Sequence, residues 1–169
     1  DKIKRYIEEG DCYQINFSQR FSAKYEGDCY SIFKKLNKVY ASPYTGFTNF
    51  PFIKIMTFSP ECFISQNKEH VSTKPIKGTR PISKDSIENK KIIDELLNSD
   101  KDKAENLMIV DLLRNDFGRN CKYGSVSVEN LFDVETFSNV HHLVSTVNGT
   151  ISNNSCLLYT SPSPRDKRL

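Results

Sequence analysis

Lys77 has the surroundings of a residue that could do covalent chemistry. It lies in the segment TKPIKGTRP, residues 73–81, between Pro75 and Pro81. Proline fixes φ and removes a backbone donor, so the lysine is predicted to be held on a stiff loop or strand end. An amine mounted in this way is suited to act as a nucleophile. The same nine residues are also compatible with a solvated lysine in a proline-flanked turn.

Glu61 is the carboxylate that the chain could bring to this lysine. Residues 62–65 and 70–73 have β-like composition and are separated by the polar turn QNKE at 66–69, which predicts a hairpin. A hairpin returns the chain to the place where it started, so Glu61 and Lys77 are predicted to meet at one end of a sheet. The spacing permits a site there without requiring one.

Glu105 is a second acidic candidate. A helix is predicted from about 101 to 116, ended by Gly118, and one of its faces carries Glu105, Met108, Ile109 and Leu112. A carboxylate on an apolar face must be paired, protonated or bound to a metal, because an isolated buried charge costs several kcal/mol. The other interpretation is a glutamate that reaches solvent past its neighbours.

Two adjacent histidines lie in a predicted strand. Its two faces carry Val140, His142, Val144 and Thr146 on one side and His141, Leu143, Ser145 and Val147 on the other. One histidine should therefore be on the inner side, where a hydrogen-bonded core residue is more usual than a catalytic one.

The remaining elements would position these groups. Helices are predicted over residues 2–9, closed by Gly10, and after Asp28, with Ile32, Phe33, Leu36 and Val39 on one face. A further helix opens at Ser83 or Asp85. Alternation of apolar and polar residues predicts a long half-buried strand over 13–23, and further strands are predicted at 44–50, 53–58, 125–129 and 132–137.

Composition limits the possible classes of protein. The 169 residues are 37% hydrophobic, which suits one domain with a packed core. The five cysteines form an odd set without a C-x-x-C pair, which argues against a disulfide framework and against zinc. The sequence has neither a run of ~20 apolar residues nor a signal-peptide pattern, so we expect no membrane association and a cytoplasmic protein.

The net charge of +3 does not indicate nucleic-acid binding. Residues 156–169 contribute three basic residues against Asp166, which leaves +1 for residues 1–155 and no basic stripe there. The tail, CLLYTSPSPRDKRL, also lacks the apolar periodicity of the preceding chain. We therefore predict a folded segment over 1–155 and a non-native or disordered tail over 156–169.

Several ordered motifs together resemble the chorismate-utilising enzyme family. They are YIEEGDCYQINFSQRF, SPECF, TKPIKGTRP, DKAENLMIVDLLRNDFGR, GSV and VHHLVSTVNG, which span nearly all of residues 3–150. The resemblance implies an α+β fold in which two stacked antiparallel sheets are flanked by helices. The chain stops before later family motifs. The resemblance therefore implies that residues 1–155 are the N-terminal part of a catalytic domain and that this part is inactive on its own.

The resemblance also implies roles for the candidate residues. Lys77 would add to C2 of chorismate while the C4 hydroxyl leaves, and Glu61 would be the general acid that protonates this hydroxyl. Ammonia, supplied by a glutamine amidotransferase subunit, would then attack C4 and expel Lys77. The product would be 4-amino-4-deoxychorismate, a precursor of p-aminobenzoate and folate.

The binding roles follow in the same way. Gly78 and Thr79 would let the backbone and a hydroxyl approach the substrate, and His142 would lie against its ring. Glu105 would be one carboxylate ligand of a Mg²⁺ ion, a cation that prefers oxygen ligands. We therefore expect Lys77 and Glu61 to point into one cavity that Glu105 and His142 line.

Alternatives remain within and outside the family. The branch that makes anthranilate usually carries alanine at the position of Lys77, so the lysine favours the branch that makes 4-amino-4-deoxychorismate over the anthranilate, isochorismate and salicylate branches. Cys62 stands where the family usually has an arginine beside the acid. A non-catalytic binding or assembly module is the alternative of a different class.

Overall fold

The computed structural model describes residues 2–12, 15, 17–40, 42–137 and 139–152. In chain order its elements are α1 (Lys2–Glu8), α2 (Cys29–Tyr40), β1 (Tyr44–Asn49), β2 (Lys54–Ser59), β3 (Cys62–Asn67), β4 (His70–Lys74), β5 (Ile76–Pro81), α3 (Ser86–Leu97), α4 (Asp100–Asn120), β6 (Ser127–Thr136) and β7 (Val140–Thr150). Within the described ranges they form a two-stranded and a five-stranded antiparallel sheet with four helices. The predicted α+β class is confirmed.

Strand β7 is the centre of the larger sheet. It pairs with β4 and β5 in one register, in which Thr73 faces Val147 and Ile76 faces Val144. These two strands therefore run as one line along a single edge of β7, interrupted by Pro75. Strand β6 pairs with an overlapping stretch of β7 and so occupies the other edge, while β3 pairs with the outer side of β4.

Helices α3 and α4 cover one face of this sheet. Asp85 accepts hydrogen bonds from the first turn of α3, and Ser99 caps α4 in the same way. The core between α4 and the sheet consists of Val71, Val110, Phe117, Cys121, Val147 and Ile151. These apolar contacts fix the helix against β4 and β7.

Helix α2 packs on the smaller sheet through aromatic rings. Phe33 contacts Phe47 and Phe58 at ring-centroid distances of 5.4 and 5.5 Å. The predicted cap is confirmed, because Asp28 accepts hydrogen bonds from the backbone of Tyr30 and Ser31. Hydrogen bonds from Ser31 and Tyr30 lower the pKa of Asp28. Val39, predicted to share the inner face of this helix, is 66% exposed instead.

The strand predicted over 13–23 is wrong for the part that the structure describes. Residues 15 and 17–23 have no strand pairing, and Phe17 and Phe21 are 86% and 84% exposed. Alternation of apolar and polar residues gives a segment one apolar and one polar face, but it does not supply a neighbouring strand to pair with. An unpaired strand is unstable in water. Tyr13, Gln14 and Asn16 lie outside the described residues.

Two other predictions need comment. The predicted hairpin is confirmed but its turn is tighter than QNKE, because Asn67 pairs with His70 and only Lys68 and Glu69 connect the strands. The predicted tail over 156–169 lies outside the described residues. Among those described, no helix has the length and apolarity to cross a membrane.

Gly149 offers a test of the packing between α4 and β7. A Cβ at this position would lie 2.6 Å from Cys121 Sγ and 3.3 Å from Phe117. We expect Gly149→Ala to lower the free energy of unfolding by about 1–3 kcal/mol through overpacking, as measured by urea denaturation.

The matched control is Gly118→Ala in α4, where the added methyl meets no atom within 4 Å. Alanine should stabilise this helix position by about 0.5–1 kcal/mol. In a Cys121→Ala background the cost of Gly149→Ala should shrink, because the nearest obstructing atom is gone. Equal cost in both backgrounds would contradict the overpacking explanation.

Candidate active site

Lys77 lies in a β-bulge of β5. Ile76 pairs with Val144 and Thr79 with His142, so β5 has one more residue than β7 across this interval, and the extra position falls at Lys77 and Gly78. Lys77 is half-buried. Among the described residues none forms a hydrogen bond or an ion pair with its amine.

Gly78 allows the bulge to lie against the helices. Its φ is +85°, and a Cβ built there would lie 2.9 Å from Leu96 Cδ1 and 3.0 Å from Asp102 Cβ. Any side chain would therefore be strained by the backbone and would meet the corner between α3 and α4. The glycine brings the strand that carries Lys77 into close contact with that corner.

Arg80 fixes the same strand to both helices. Its Nε lies 3.2 Å from Glu95 Oε1 in α3, and its Nη2 lies 3.0 Å from Asp102 Oδ2 in α4. The hydrogen bond to Glu95 and the charge of Asp102 raise the pKa of Arg80. Because Asp102 is buried, this ion pair is shielded from solvent and orients β5 more strongly than an exposed pair would.

Glu61 lies where the hairpin returns the chain. Its Oε1 accepts a hydrogen bond of 2.9 Å from the backbone N–H of Ile76, the residue before Lys77. The carboxylate is thus attached to the strand that carries the lysine, on the side away from β7. Glu61 is otherwise exposed.

His142 lies across the strand from Thr79. It is 7% exposed, and its Nδ1 lies 2.9 Å from the Thr79 hydroxyl. Its ring centroid is 5.3 Å from that of Phe137. Burial lowers the pKa of His142, while the charges of Glu61 and Glu135 act in the opposite direction. The ring is therefore neutral at pH 7.

The two histidines face opposite sides of the sheet, as the alternation predicts, but both are buried. His141 is 1% exposed, and its Nε2 lies 2.9 Å from Asn89 Oδ1 in α3 while its Nδ1 lies 2.8 Å from the Thr136 hydroxyl. The prediction of a single inner histidine is wrong, because one face of β7 is covered by helices and the other by the segments that line the cavities.

Two adjoining cavities open on the His142 face of the sheet. The larger has about 570 Å³ of space and is lined by Tyr40, Ser42, Pro43, Pro60, Phe137, Asn139, Val140 and His142. The smaller, of about 280 Å³, includes Tyr44, Cys62 and an ion pair of 2.7 Å between Lys74 and Glu135. A hydrogen bond with Cys62 raises the pKa of Tyr44.

Of the residues expected to share one cavity, His142 lines the larger of these two. Lys77, Glu61 and Glu105 line neither. The structure thus brings Glu61, Thr79 and His142 together around β5, and it places Glu105 apart on α4.

Glu105 does not belong to the buried face of its helix. The stripe of α4 that faces the sheet contains Asp102, Asn106, Val110, Phe117 and Asn120. Met108 and Leu112, predicted to be inside, are 37% and 51% exposed. The predicted inner face is therefore wrong by about one position, because hydrogen-bonded polar side chains take the inward places.

As a metal ligand, Glu105 stands alone in the described part of the chain. Its nearest ionic partner is Lys101, at 4.0 Å across one helical turn, a contact too exposed to hold the carboxylate firmly. The described residues contain no group of three possible ligands. They could supply one carboxylate to a Mg²⁺ ion but no complete site.

The model of the chorismate binding enzyme family matches residues 1–159. Aminodeoxychorismate synthase component 1 of Salmonella typhimurium is 48% identical over 146 residues, which cover 86% of this chain and 32% of that protein. Anthranilate synthase component 1 of Aquifex aeolicus is 40% identical over 150 residues, 89% of this chain and 30% of that protein.

One solved structure is also similar. The crystal structure of anthranilate synthase component I from Streptococcus pneumoniae TIGR4 superposes with a TM-score of 0.82 at 33% identity, covering 96% of this chain and 36% of that one. The chain therefore spans about a third of the length of the curated relatives and of the structure that it matches.

The buried imidazole of His142 predicts a pH dependence of stability. Its pKa in the folded chain is below 6.5, so below about pH 6.5 the unfolded chain binds a proton that the folded chain does not. Burial of the neutral His142 ring therefore contributes fully to the free energy of unfolding above about pH 6.5. This contribution is lost as the pH falls toward the lower pKa of the folded state. We expect His142→Gln to flatten this dependence in urea denaturation between about pH 7.5 and 5.

His70, exposed on β4, provides the matched control. The His70→Gln variant should keep the pH dependence of the unmodified chain. An equal slope in all three proteins would contradict the neutral, buried state of His142.

Proposed function

The chain belongs to the chorismate binding enzyme family, and we propose that the protein to which it contributes is an aminodeoxychorismate synthase component 1. The observation that carries the proposal is the hydrogen bond from Ile76 N–H to Glu61 Oε1, which holds a carboxylate beside the strand position of Lys77. The identity of 48% to a relative of that name supports the same branch. The chemistry below is proposed for the whole protein.

In the first step Lys77 forms the covalent bond. Its neutral amine attacks C2 of chorismate, both ring double bonds shift, and the bond from C4 to the hydroxyl breaks. Glu61 gives its proton to the departing oxygen, which leaves as water. The bulge supports this role, because it turns the lysine out of the regular alternation of β5.

In the second step ammonia replaces the lysine. Ammonia attacks C4, both double bonds shift back, and the bond between C2 and the Lys77 nitrogen breaks, which regenerates the amine. The new ammonium at C4 returns a proton to Glu61, which gives 4-amino-4-deoxychorismate. We propose that a glutamine amidotransferase subunit supplies the ammonia, since the name of the relatives, component 1, implies a second component.

The substrate ring is proposed to lie against His142. The imidazole is neutral, and its Nδ1 is engaged by the Thr79 hydroxyl at 2.9 Å, so its orientation is fixed by the strand pairing. The larger cavity begins at this ring and is lined mainly by apolar and aromatic groups. Gly78 and Thr79 bring backbone and hydroxyl close to the same place.

Glu105 is proposed to give one carboxylate ligand to a Mg²⁺ ion that binds the ring carboxylate of chorismate. A hard cation of this kind takes one or two protein carboxylates together with substrate and water oxygens. Glu105 is half-buried, and its weak contact with Lys101 leaves the carboxylate available.

Anthranilate synthase component 1 is the second candidate. The identity of 40% to the Aquifex aeolicus protein and the TM-score of 0.82 to a solved structure of that type support it. Lys77 discriminates between them, because the anthranilate branch usually carries alanine at this position, which cannot form a covalent adduct. The isochorismate or salicylate branches and a non-catalytic module have weaker support.

Lys77→Ala tests the proposal in the full-length protein. We expect the variant to lose the covalent adduct that intact-mass measurement should detect during turnover with chorismate. Slow formation of anthranilate can remain, since the other groups stay in place. Lys90→Ala, an exposed change in α3, is the control and should keep both adduct and product. An adduct that persists without Lys77 would overturn the role and the branch assignment.

Glu105→Gln tests the metal role. The amide keeps the shape of the side chain but removes an anionic oxygen, so we expect a higher Mg²⁺ concentration for half-maximal activity and about 10–100-fold weaker metal affinity. Asp111→Asn, an equivalent change at an exposed position of α4, should leave the Mg²⁺ titration unchanged. Identical Mg²⁺ titrations for all three proteins would contradict the assignment of Glu105 as a metal ligand.

A further inference from the structure

Two irregularities of the sheet lie on opposite edges of β7, two residues apart along the strand. The bulge of β5 interrupts the pairing between Val144 and His142 and so lies opposite Leu143. On the other edge, the register between β6 and β7 shifts between Glu129 and Asp133, where Asn130 and Phe132 have φ values of 49° and 60°. The β6 shift lies opposite Ser145, while Val144 keeps a partner on both edges. At these two points the Leu143 carbonyl and the Ser145 hydroxyl have hydrogen-bond partners outside the sheet.

Asn106 of α4 supplies these partners. It is fully buried, and its Nδ2 donates to Leu143 O at 3.3 Å and to Pro75 O at 3.5 Å. Its Oδ1 accepts a hydrogen bond of 2.6 Å from the Ser145 hydroxyl. The oxygen of Ser145 in turn accepts from Phe132 N–H at 3.1 Å, inside the irregular part of β6.

Only a primary amide satisfies this set of partners. Two carbonyl oxygens require a side chain with two donor hydrogens, and the serine hydroxyl, already an acceptor from Phe132, requires an acceptor. Aspartate would place a carboxylate against two carbonyl oxygens at a fully buried position. Leucine would leave the Ser145 hydroxyl without its acceptor. An unpaired group in such a place costs about 1–3 kcal/mol.

The positions of these contacts relate Asn106 to the proposed chemistry. Pro75 is two residues before Lys77, Leu143 follows His142, and Asn106 follows Glu105 along α4. One buried amide thus joins the three elements that carry the proposed nucleophile, the ring-binding imidazole and the proposed metal ligand. The apolar core residues of α4 begin one turn further on, at Val110, and do not contribute to this junction.

We propose that Asn106 is a positioning residue that sets the placement of the Lys77 bulge relative to His142 and Glu105. The inference rests on the proposed function, because its catalytic consequence requires that Lys77 be the nucleophile. Asn106 touches no reacting atom and acts through Pro75 and Leu143. Misplacement of a reacting group by about 1 Å costs on the order of 100-fold in rate.

The first test measures kinetics in the full-length protein. We expect Asn106→Asp to lower kcat, per folded molecule, by about 100-fold while KM for chorismate changes far less. Asn115→Asp makes the same chemical change at an exposed position of α4 and should stay within about twofold of the unmodified protein. A folded Asn106→Asp variant with unchanged kcat would overturn the proposal.

A second readout does not depend on activity. Trace acetylation by acetic anhydride, without chorismate, reports the accessibility and reactivity of Lys77, with exposed Lys90 as the internal reference. We expect the labelling ratio of Lys77 to Lys90 to change in Asn106→Asp and to stay unchanged in Asn115→Asp. If the unmodified enzyme shows no Lys77 adduct, the proposed function fails, whereas this ratio still decides whether Asn106 positions the lysine.

Ser145→Ala covers the case in which Asn106→Asp does not fold. It removes the hydroxyl that links Asn106 to β6 but keeps both hydrogen bonds that Asn106 donates. We expect a several-fold lower kcat and a shifted labelling ratio. A Ser145→Ala protein equal to the unmodified one in both readouts would overturn the proposal.

Discussion

The fold depends on β7 being hydrogen-bonded along both edges. Strands β4 and β5 share one of these edges and are separated by Pro75. The carbonyl of Pro75 still accepts a hydrogen bond from Ser145 N–H at 3.3 Å, while its nitrogen has no hydrogen to donate. One ladder bond is lost there, and the chain continues in register to Ile76 before it bulges. The position of Lys77 is therefore determined by the point at which the regular pairing of β5 with β7 is interrupted.

Hydrogen bonds and an ion pair between polar groups join the helices to this sheet. Arg80 pairs with Asp102, His141 bonds to Asn89, and Asn106 bonds to Ser145 and to two carbonyls. Apolar packing alone would tolerate small shifts of a helix along the sheet, whereas a buried donor that misses its acceptor costs about 1–3 kcal/mol. Such contacts fix the helix position closely, which a site built from several elements requires.

The sequence predicted most helices and strands, but beyond the β3–β4 hairpin it did not predict which strands pair. Periodicity found α2, α3, α4 and the β3–β4 hairpin, because their patterns are local. It failed at residues 15 and 17–23, where alternation was present without a neighbouring strand in the described part of the chain. It also chose the wrong face of α4, since hydropathy counts Asp102 and Asn106 as outward residues although both are buried. A stripe of Asp102, Asn106, Val110 and Phe117 at helical spacing was the signal that could have corrected it.

The hydrogen bond of Glu61 bears on how this carboxylate pairs with Lys77, the proposed nucleophile. A carboxylate paired directly with an amine stabilises the ammonium form, which cannot attack carbon. Here the oxygen of Glu61 is taken by the backbone N–H of Ile76, and no described residue forms an ion pair with Lys77. The proposed acid is thereby attached to β5 by one carboxylate oxygen, without an ion pair to Lys77. A bulge at Lys77, a backbone hydrogen bond to Glu61 and a glycine that admits α4 together determine how β5 carries the two residues proposed to act in catalysis.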